Sequence, residues 1–265
     1  MRRVLLLWLF PLAACGAERV LDFHSEIRIA RDGTLTVTEM ITVQAEGRQI
    51  RRGILRDFPA GYRDRRGNRV RAPFEVLSVA RNGQAEPYAI ERRSDGKRIR
   101  TGAADVLLPF GAHEYRITYR TARRIGFFEG HDELYWDVNG HGWGFAFERM
   151  SAEVRFADPV PAGGIEAQAY TGPQGSRARD YQAFVREGSA AFRITRPLGP
   201  REGMTLVVAF PKGVVAPPDG AERFDAWAES NPAAIAGLAG LLVLSLCLVF
   251  IWRRAGRDPR ARTAG

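Results

Sequence analysis

The sequence predicts an all-β exported domain, built as a β-sandwich or as two packed sandwich halves, carried on one C-terminal transmembrane helix. Three observations predict it. Residues 233–252 read AAIAGLAGLLVLSLCLVFIW without a charge, and about 20 helical residues rising roughly 1.5 Å each cross a hydrocarbon core of about 30 Å. Before that run, apolar and polar residues alternate with the period of two that a half-buried strand requires, in many short stretches divided by turn residues. No helical pattern of ten or more residues interrupts them.

The apolar run sets the expected topology. Asn231 and Pro232 stand before it, a capping side chain and a residue whose missing N–H costs nothing in a first helical turn. Arg253, Arg254, Arg257, Arg260 and Arg262 follow, and basic flanks stay on the cytoplasmic side. The preceding segment is therefore expected outside the cytoplasm, as the periplasmic or extracellular part of a single-pass bacterial inner-membrane protein. Residues 1–17 have a basic start, a short apolar run and small residues, the layout of an export signal. Plain cleavage after Ala17 is favoured; the alternative is that Leu12-Ala13-Ala14-Cys15 acts as a lipoprotein box and Cys15 is lipidated. The expected organisation is a signal over 1–17, a sandwich over 18–210, a stiff proline-bearing stalk over 211–231, the span over 232–252 and a basic cytoplasmic tail over 253–265.

Charge and cysteine usage exclude two classes. The net charge is +9, but residues 18–230 hold 32 Arg and Lys against 29 Asp and Glu, so only three of those charges belong to the domain. The balance reports topology, not nucleic acid. Cys15 and Cys247 fall in the leader and the span, so no disulfide braces the domain, which is long enough to bury its own core.

Taken in order, the first hairpin runs through Ile27 and Ile29, turns at Asp32-Gly33 and continues through Leu35, Val37, Ile41 and Val43. Asn82-Gly83 and Asp95-Gly96 mark two more hairpins, and EYRITYRT puts Tyr115, Ile117 and Tyr119 on one face. Further strands are expected over 134–138, 145–149, 152–156, 165–170, 181–186, 191–195 and 204–210.

Two stretches carry candidate sites. Residues 48–71 hold nine Arg against Asp57 and Asp64, broken by Gly53, Pro59, Gly61 and Gly67, and read as a basic loop. Guanidinium forks suit phosphate and carboxylate, so Arg51, Arg52, Arg56, Arg63, Arg65 and Arg66 are candidates for contact with lipid headgroups or an anionic partner. The second stretch, HDELYWDVNGHGW, offers His131, Asp132, Glu133 and His141 as metal ligands. Alternation argues against them, because it divides Asp132 and Glu133 between the two faces of a strand, and the helical histidine pair of zinc peptidases is absent. Tyr135, Trp136 and Trp143 are expected in the core, Asn139-Gly140 in a turn, and His24 and His113 in structural settings. No nucleophile elbow, phosphate loop or dinucleotide glycine motif occurs, and no cofactor is expected. Within the span, Ala233 with Gly237 and Ala236 with Gly240 are small residues four apart; lipid-facing filler is favoured over a homo-oligomer contact.

The residues ERVLDFHSEIRIARDGTLTVTEMITV, RRGILRDFP, VLSVARNGQAEPY and HEYRITYRTARRIGFFEGHDELYWDVNGHGW, with Trp252 and Gly256-Arg257-Asp258-Pro259 after the span, resemble a family. The chain is similar to the bacterial predicted membrane proteins defined by the domain of unknown function 2207. The resemblance implies an exported β-rich domain on a membrane helix, with Gly53, Arg56, Pro59, Tyr135, Trp136 and Trp143 as structural motif residues. It implies no activity. Longer relatives continue past GRDP into further membrane helices, whereas this sequence ends at Gly265, so a truncated paralogue or a chain paired with a fuller relative is expected.

The expected role is a membrane-anchored binding or scaffolding module, not an enzyme, whose partners are the bilayer and another envelope protein or anionic surface. A metal-dependent envelope enzyme built on His131, Asp132, Glu133 and His141 is one alternative; an accessory subunit of a larger membrane complex is another.

Overall fold

The computed structural model describes residues 17–59, 61–63, 69–94 and 96–256. The leader with Cys15, together with Arg65, Arg66, Asp95, Arg257, Asp258 and Pro259, lies outside the described residues, as do the side chains of Arg63 and Arg69. The chain divides into two compact units. One holds the described residues before 60 and Ala72–Pro217; the other holds Gly61–Arg71 and the residues from Pro218 onward.

The first unit opens on the expected hairpin, β1 (Arg19–Ile29) and β2 (Leu35–Ala45), turned where Thr34 N–H donates to Asp32 Oδ1 at 2.9 Å and Gly33 takes φ +76°. It continues with β3 (Leu55–Pro59). After β4 (Gly61–Arg63) and β5 (Arg69–Arg71), which belong to the other unit, come β6 (Phe74–Arg81), β7 (Gln84–Ala85), β8 (Tyr88–Arg93) and β9 (Gly96–Thr101). The rest are β10 (Gly111–Thr121), β11 (Ile125–Phe127), β12 (Asp132–Asp137), β13 (Met150–Phe156), β14 (Glu166–Gly172), β15 (Tyr181–Arg186), β16 (Ser189–Ile194) and β17 (Gly203–Phe210).

One layer is an eight-stranded sheet in the order β15-β16-β13-β1-β2-β10-β6-β7, in which β1 and β13 run parallel. Facing it are a four-stranded sheet, β11-β12-β17-β14, and a three-stranded sheet, β3-β9-β8. The alternation of the long strands decides which face turns inward. Leu35, Val37, Ile41 and Val43 of β2 and Tyr115, Ile117 and Tyr119 of β10 are fully buried, while Thr36, Thr38, Arg116 and Thr118 stay on the outer face. Rings cross the gap between layers, Phe58 against Tyr119 at 4.6 Å and Phe156 against Phe210 at 4.9 Å. Each such side chain contributes about 1.5–3 kcal/mol by leaving water. The fold is the predicted sandwich, with its second layer split in two.

Three expectations need correction. Residues 145–149 are not a strand: Phe147 makes isolated bridges to Val20 and Leu198 and is buried as a plug between them. The stretch 48–71 is not one loop, because β3, β4 and β5 lie inside it. The stalk does not begin at 211: Val215 is buried in the first unit's core and Ala216 N–H donates to Arg31 O at 2.7 Å.

In the second unit, β4 and β5 pair antiparallel, and the remainder of the expected stalk is helix α1 (Gly220–Ser230). Asp219 and Glu222 form a reciprocal capping box at its start, and Arg71 N–H donates to Ser230 Oγ at 3.0 Å. Helix α2 (Pro232–Ala255) follows, 24 residues long with mean hydropathy 2.7 and none of its residues buried. An apolar helix exposed all round is soluble only in lipid.

Candidate functional site

The motif strand β12 obeys its alternation. Leu134 and Trp136 point into the core, whereas Tyr135 is 60% exposed, so the expectation that Tyr135 fills the core is wrong: its strand neighbours take the inward positions. Partial desolvation of this half-exposed side chain, with the Asp137 charge next, holds the Tyr135 phenol above its ordinary pKa. Tyr135, Asp137 and His141, together with Tyr170 and Thr205, line a small polar cleft of about 130 Å³ on this outer face.

The four candidate ligands are not brought together. Asp132 is buried and accepts from Lys212 Nζ at 2.6 Å. His131 is exposed, stacked on Phe128 at 5.0 Å and 3.9 Å from Glu133. His141 sits beside Gly203, where a Cβ would meet its Nε2 at 3.1 Å. Among the described residues no three His, Cys, Asp or Glu side chains are arranged to hold a metal ion. The other histidines bond within the fold, His24 Nδ1 with Ser151 Oγ and His113 Nε2 with Pro109 O, both at 2.8 Å.

The basic stretch divides by exposure. Arg51 and Arg52 are exposed, but Arg56, an inward residue of β3, is only 3% exposed and cannot reach an outside anion. All five of its N–H donors are engaged. Nε and Nη2 grip the Glu39 carboxylate at 2.8 and 2.7 Å, Nη2 also reaches Val138 O at 3.0 Å, and Nη1 reaches Asp57 O at 2.9 Å and Asn139 O at 2.7 Å. Tyr119 O–H donates to Glu39 at 3.0 Å, and the guanidinium lies 4.5 Å from the Phe58 ring centroid. Burial alone would lower the Arg56 pKa; the Glu39 charge outweighs it and holds the pKa above its usual value. Burial, then Glu39, drives Tyr119 well above the ordinary phenol value.

Asn139 extends this network, a role sequence reading missed by assigning it only to a turn. Its amide donates to Glu202 O at 3.1 Å and accepts from Met204 N–H at 3.1 Å, while its backbone carbonyl also takes the Trp143 indole N–H at 2.9 Å. The motif residues Arg56 and Trp143 thus meet on one carbonyl. Gly53 has its own reason: φ is +152° there, and a Cβ would overlap the Thr101 carbonyl, while one at Gly102 would overlap the Arg52 carbonyl. Two backbones cross in contact at this point.

Residues 19–210 match the family described as predicted membrane protein (DUF2207), N-terminal domain. The chain belongs to that family. Among curated proteins, this DUF2207 chain is similar to the uncharacterized protein YciQ of Escherichia coli K12, 26% identical over 163 residues, which are 62% of this chain and 26% of YciQ. The match thus spans about a quarter of the length of that relative. Among solved structures, yeast LTA4 hydrolase in complex with bestatin superposes with TM-score 0.48 at 10% identity, covering 72% of this chain and 28% of the hydrolase. The M1 zinc metallopeptidase of Deinococcus radiodurans does so with TM-score 0.41 at 17% identity, covering 71% and 42%. Superpositions this loose carry no argument about activity. Family and span together make this a DUF2207 membrane protein.

Proposed function

We propose that the protein is a single-pass inner-membrane protein that displays its sandwich on the extracytoplasmic side and works there as a binding or scaffolding module. Its surface would engage another envelope protein, with a signal over residues 1–17 removed or with Cys15 lipidated. Arg253 and Arg254 in the last turn of α2 support the orientation. The observation that carries the binding reading is β15. It ends the eight-stranded sheet, is exposed from Gln182 to Arg186, and holds out Phe184 at 50% exposure. An edge strand of this kind offers backbone N–H and C=O groups to an extended segment of a partner.

Alkaline phosphatase fused at residue 217 is expected to be active and a fluorescent protein at the C-terminus to glow; an inactive phosphatase would reverse the orientation. A photo-crosslinking residue at Gln182 in the full chain in cells is expected to capture one discrete protein, identified by mass spectrometry. Capture of lipid alone, or of nothing, would sink the strand-edge reading.

A further inference from the structure

We infer that the body of this protein carries a second, peripheral membrane contact: the loop 102–110 inserts Val106, Leu107 and Phe110 into a bilayer surface while Arg48, Arg51 and Arg52 engage anionic headgroups. The three apolar side chains are 51%, 57% and 76% exposed, and they project from a single loop between β9 and β10. Large apolar side chains grouped in this way on a soluble face mark a surface that is covered in use.

The loop is held out by its own anchors. Leu108 is buried, its N–H donates to Arg51 O at 2.8 Å, and the carbonyl of Pro109 accepts from His113 Nε2 at 2.8 Å. The close crossing at Gly53 and Gly102 fixes one side of the base. On the other side the Phe110 ring lies against Gly47, where a Cβ would strike it. Glu18 clamps that neighbouring segment, accepting from the N–H groups of Glu46, Arg48, Gln49 and Ile50 at 2.7–3.2 Å. The apolar tip is therefore presented on a fixed platform, which lowers the entropy lost on insertion.

Charge selects lipid as the occupant. Arg48, Arg51 and Arg52 are exposed on the segment that supports the loop, against the exposed Asp105. Glu46 is turned to Gln44 Nε2 at 2.6 Å, and Glu18 is engaged by backbone. Apolar side chains rimmed by cations suit the boundary between acyl chains and phosphates. The body is continuous with a membrane helix, so a lipid surface is present at high effective concentration. This inference uses the membrane anchorage and not the strand-edge reading, so either fails alone.

The test uses the full chain with Cys15 and Cys247 replaced by Ser, reconstituted in nanodiscs of phosphatidylcholine alone or mixed equally with phosphatidylglycerol. An environment-sensitive fluorophore on Leu107→Cys is expected to show blue-shifted emission quenched by doxyl-labelled lipid in the anionic discs. The same fluorophore on the exposed Glu187→Cys should stay aqueous. The shift should weaken in neutral discs, at high salt, and in Arg51→Gln/Arg52→Gln. A Leu107 label indistinguishable from the Glu187 label in anionic discs would overturn the insertion. Insertion indifferent to salt and to the Gln pair would overturn the part assigned to the arginines.

Discussion

Arg51 and Arg52 stand five and four positions from Arg56 in one short motif, yet they meet opposite fates. The first two sit in solvent before the chain enters a strand; Arg56 lies inside β3, where alternation turns it toward Glu39. Residue type alone placed all three on the surface as anion ligands. Strand register decides otherwise, and the buried guanidinium is tolerated because each of its five donors and both carboxylate oxygens of Glu39 have partners. The same side chain thus serves as an interlayer cross-link in one place and a free cation a few residues away.

The sharpest way to break that contrast is to remove the buried cation. Arg56→Ala leaves the Glu39 carboxylate without its charge partner in the core, a loss expected to cost about 3–5 kcal/mol. Urea unfolding followed by tryptophan fluorescence would read it, since Trp136 and Trp143 are both buried. Replacing both members, Arg56→Leu with Glu39→Leu, should recover much of that loss. A double variant as unstable as Arg56→Ala would mean that the backbone carbonyls of Val138 and Asn139, not the charge pair, dominate the site.

Between the two kinds of arginine lies Gly53, and it supplies the next effect. Gly53→Ala should cost about 1–3 kcal/mol through backbone strain, with more added if the crossing strand must move. Gly61→Ala, with nothing near its Cβ and no positive φ, is the matched control and should change stability little. Equal melting shifts for the two would contradict the close crossing.

Much of the fold was legible because it is local. The β1–β2 hairpin, β10, β12 and β17 announce themselves by alternation and turn residues. The parallel pairing of β1 with β13 has no such signal, since no short turn joins parallel strands. The β8–β9 hairpin was signalled by its turn residues and not by alternation, and β3 was obscured by arginine, which alternation normally assigns outward. For α1 the signal was present: Asp219 and Glu222 have capping-box spacing, overlooked beside Pro217 and Pro218. The site was less legible than the fold. Spacing argued against gathering His131, Asp132, Glu133 and His141, whereas the part Asn139 plays in the Arg56 network depends on long-range contacts to Glu202 and Met204.

A smaller effect should follow from pH. The four backbone N–H groups outweigh partial burial and hold the Glu18 carboxyl below its ordinary pKa. A depressed folded-state pKa contributes stability above the unfolded value of about 4.3, and this is lost as pH falls through the folded value. Glu18→Gln is therefore expected to lower stability at pH 7 and to flatten the acid limb below about pH 4. An unchanged acid limb would show that Glu18 does not clamp residues 46–50.

The smallest change should come from the exposed arginines themselves, and its smallness is the informative part. Arg51→Ala/Arg52→Ala removes side chains that lie in solvent and leaves intact the Arg51 carbonyl that holds Leu108. Unfolding free energy should stay within about 0.5 kcal/mol of the parent, while attachment of the 102–110 loop to anionic bilayers weakens. Stability and lipid contact would then separate cleanly across five residues, with Arg56 controlling the first and Arg51 and Arg52 the second. A loss of stability approaching that of Arg56→Ala would erase the distinction, because the surface arginines would then be structural as well.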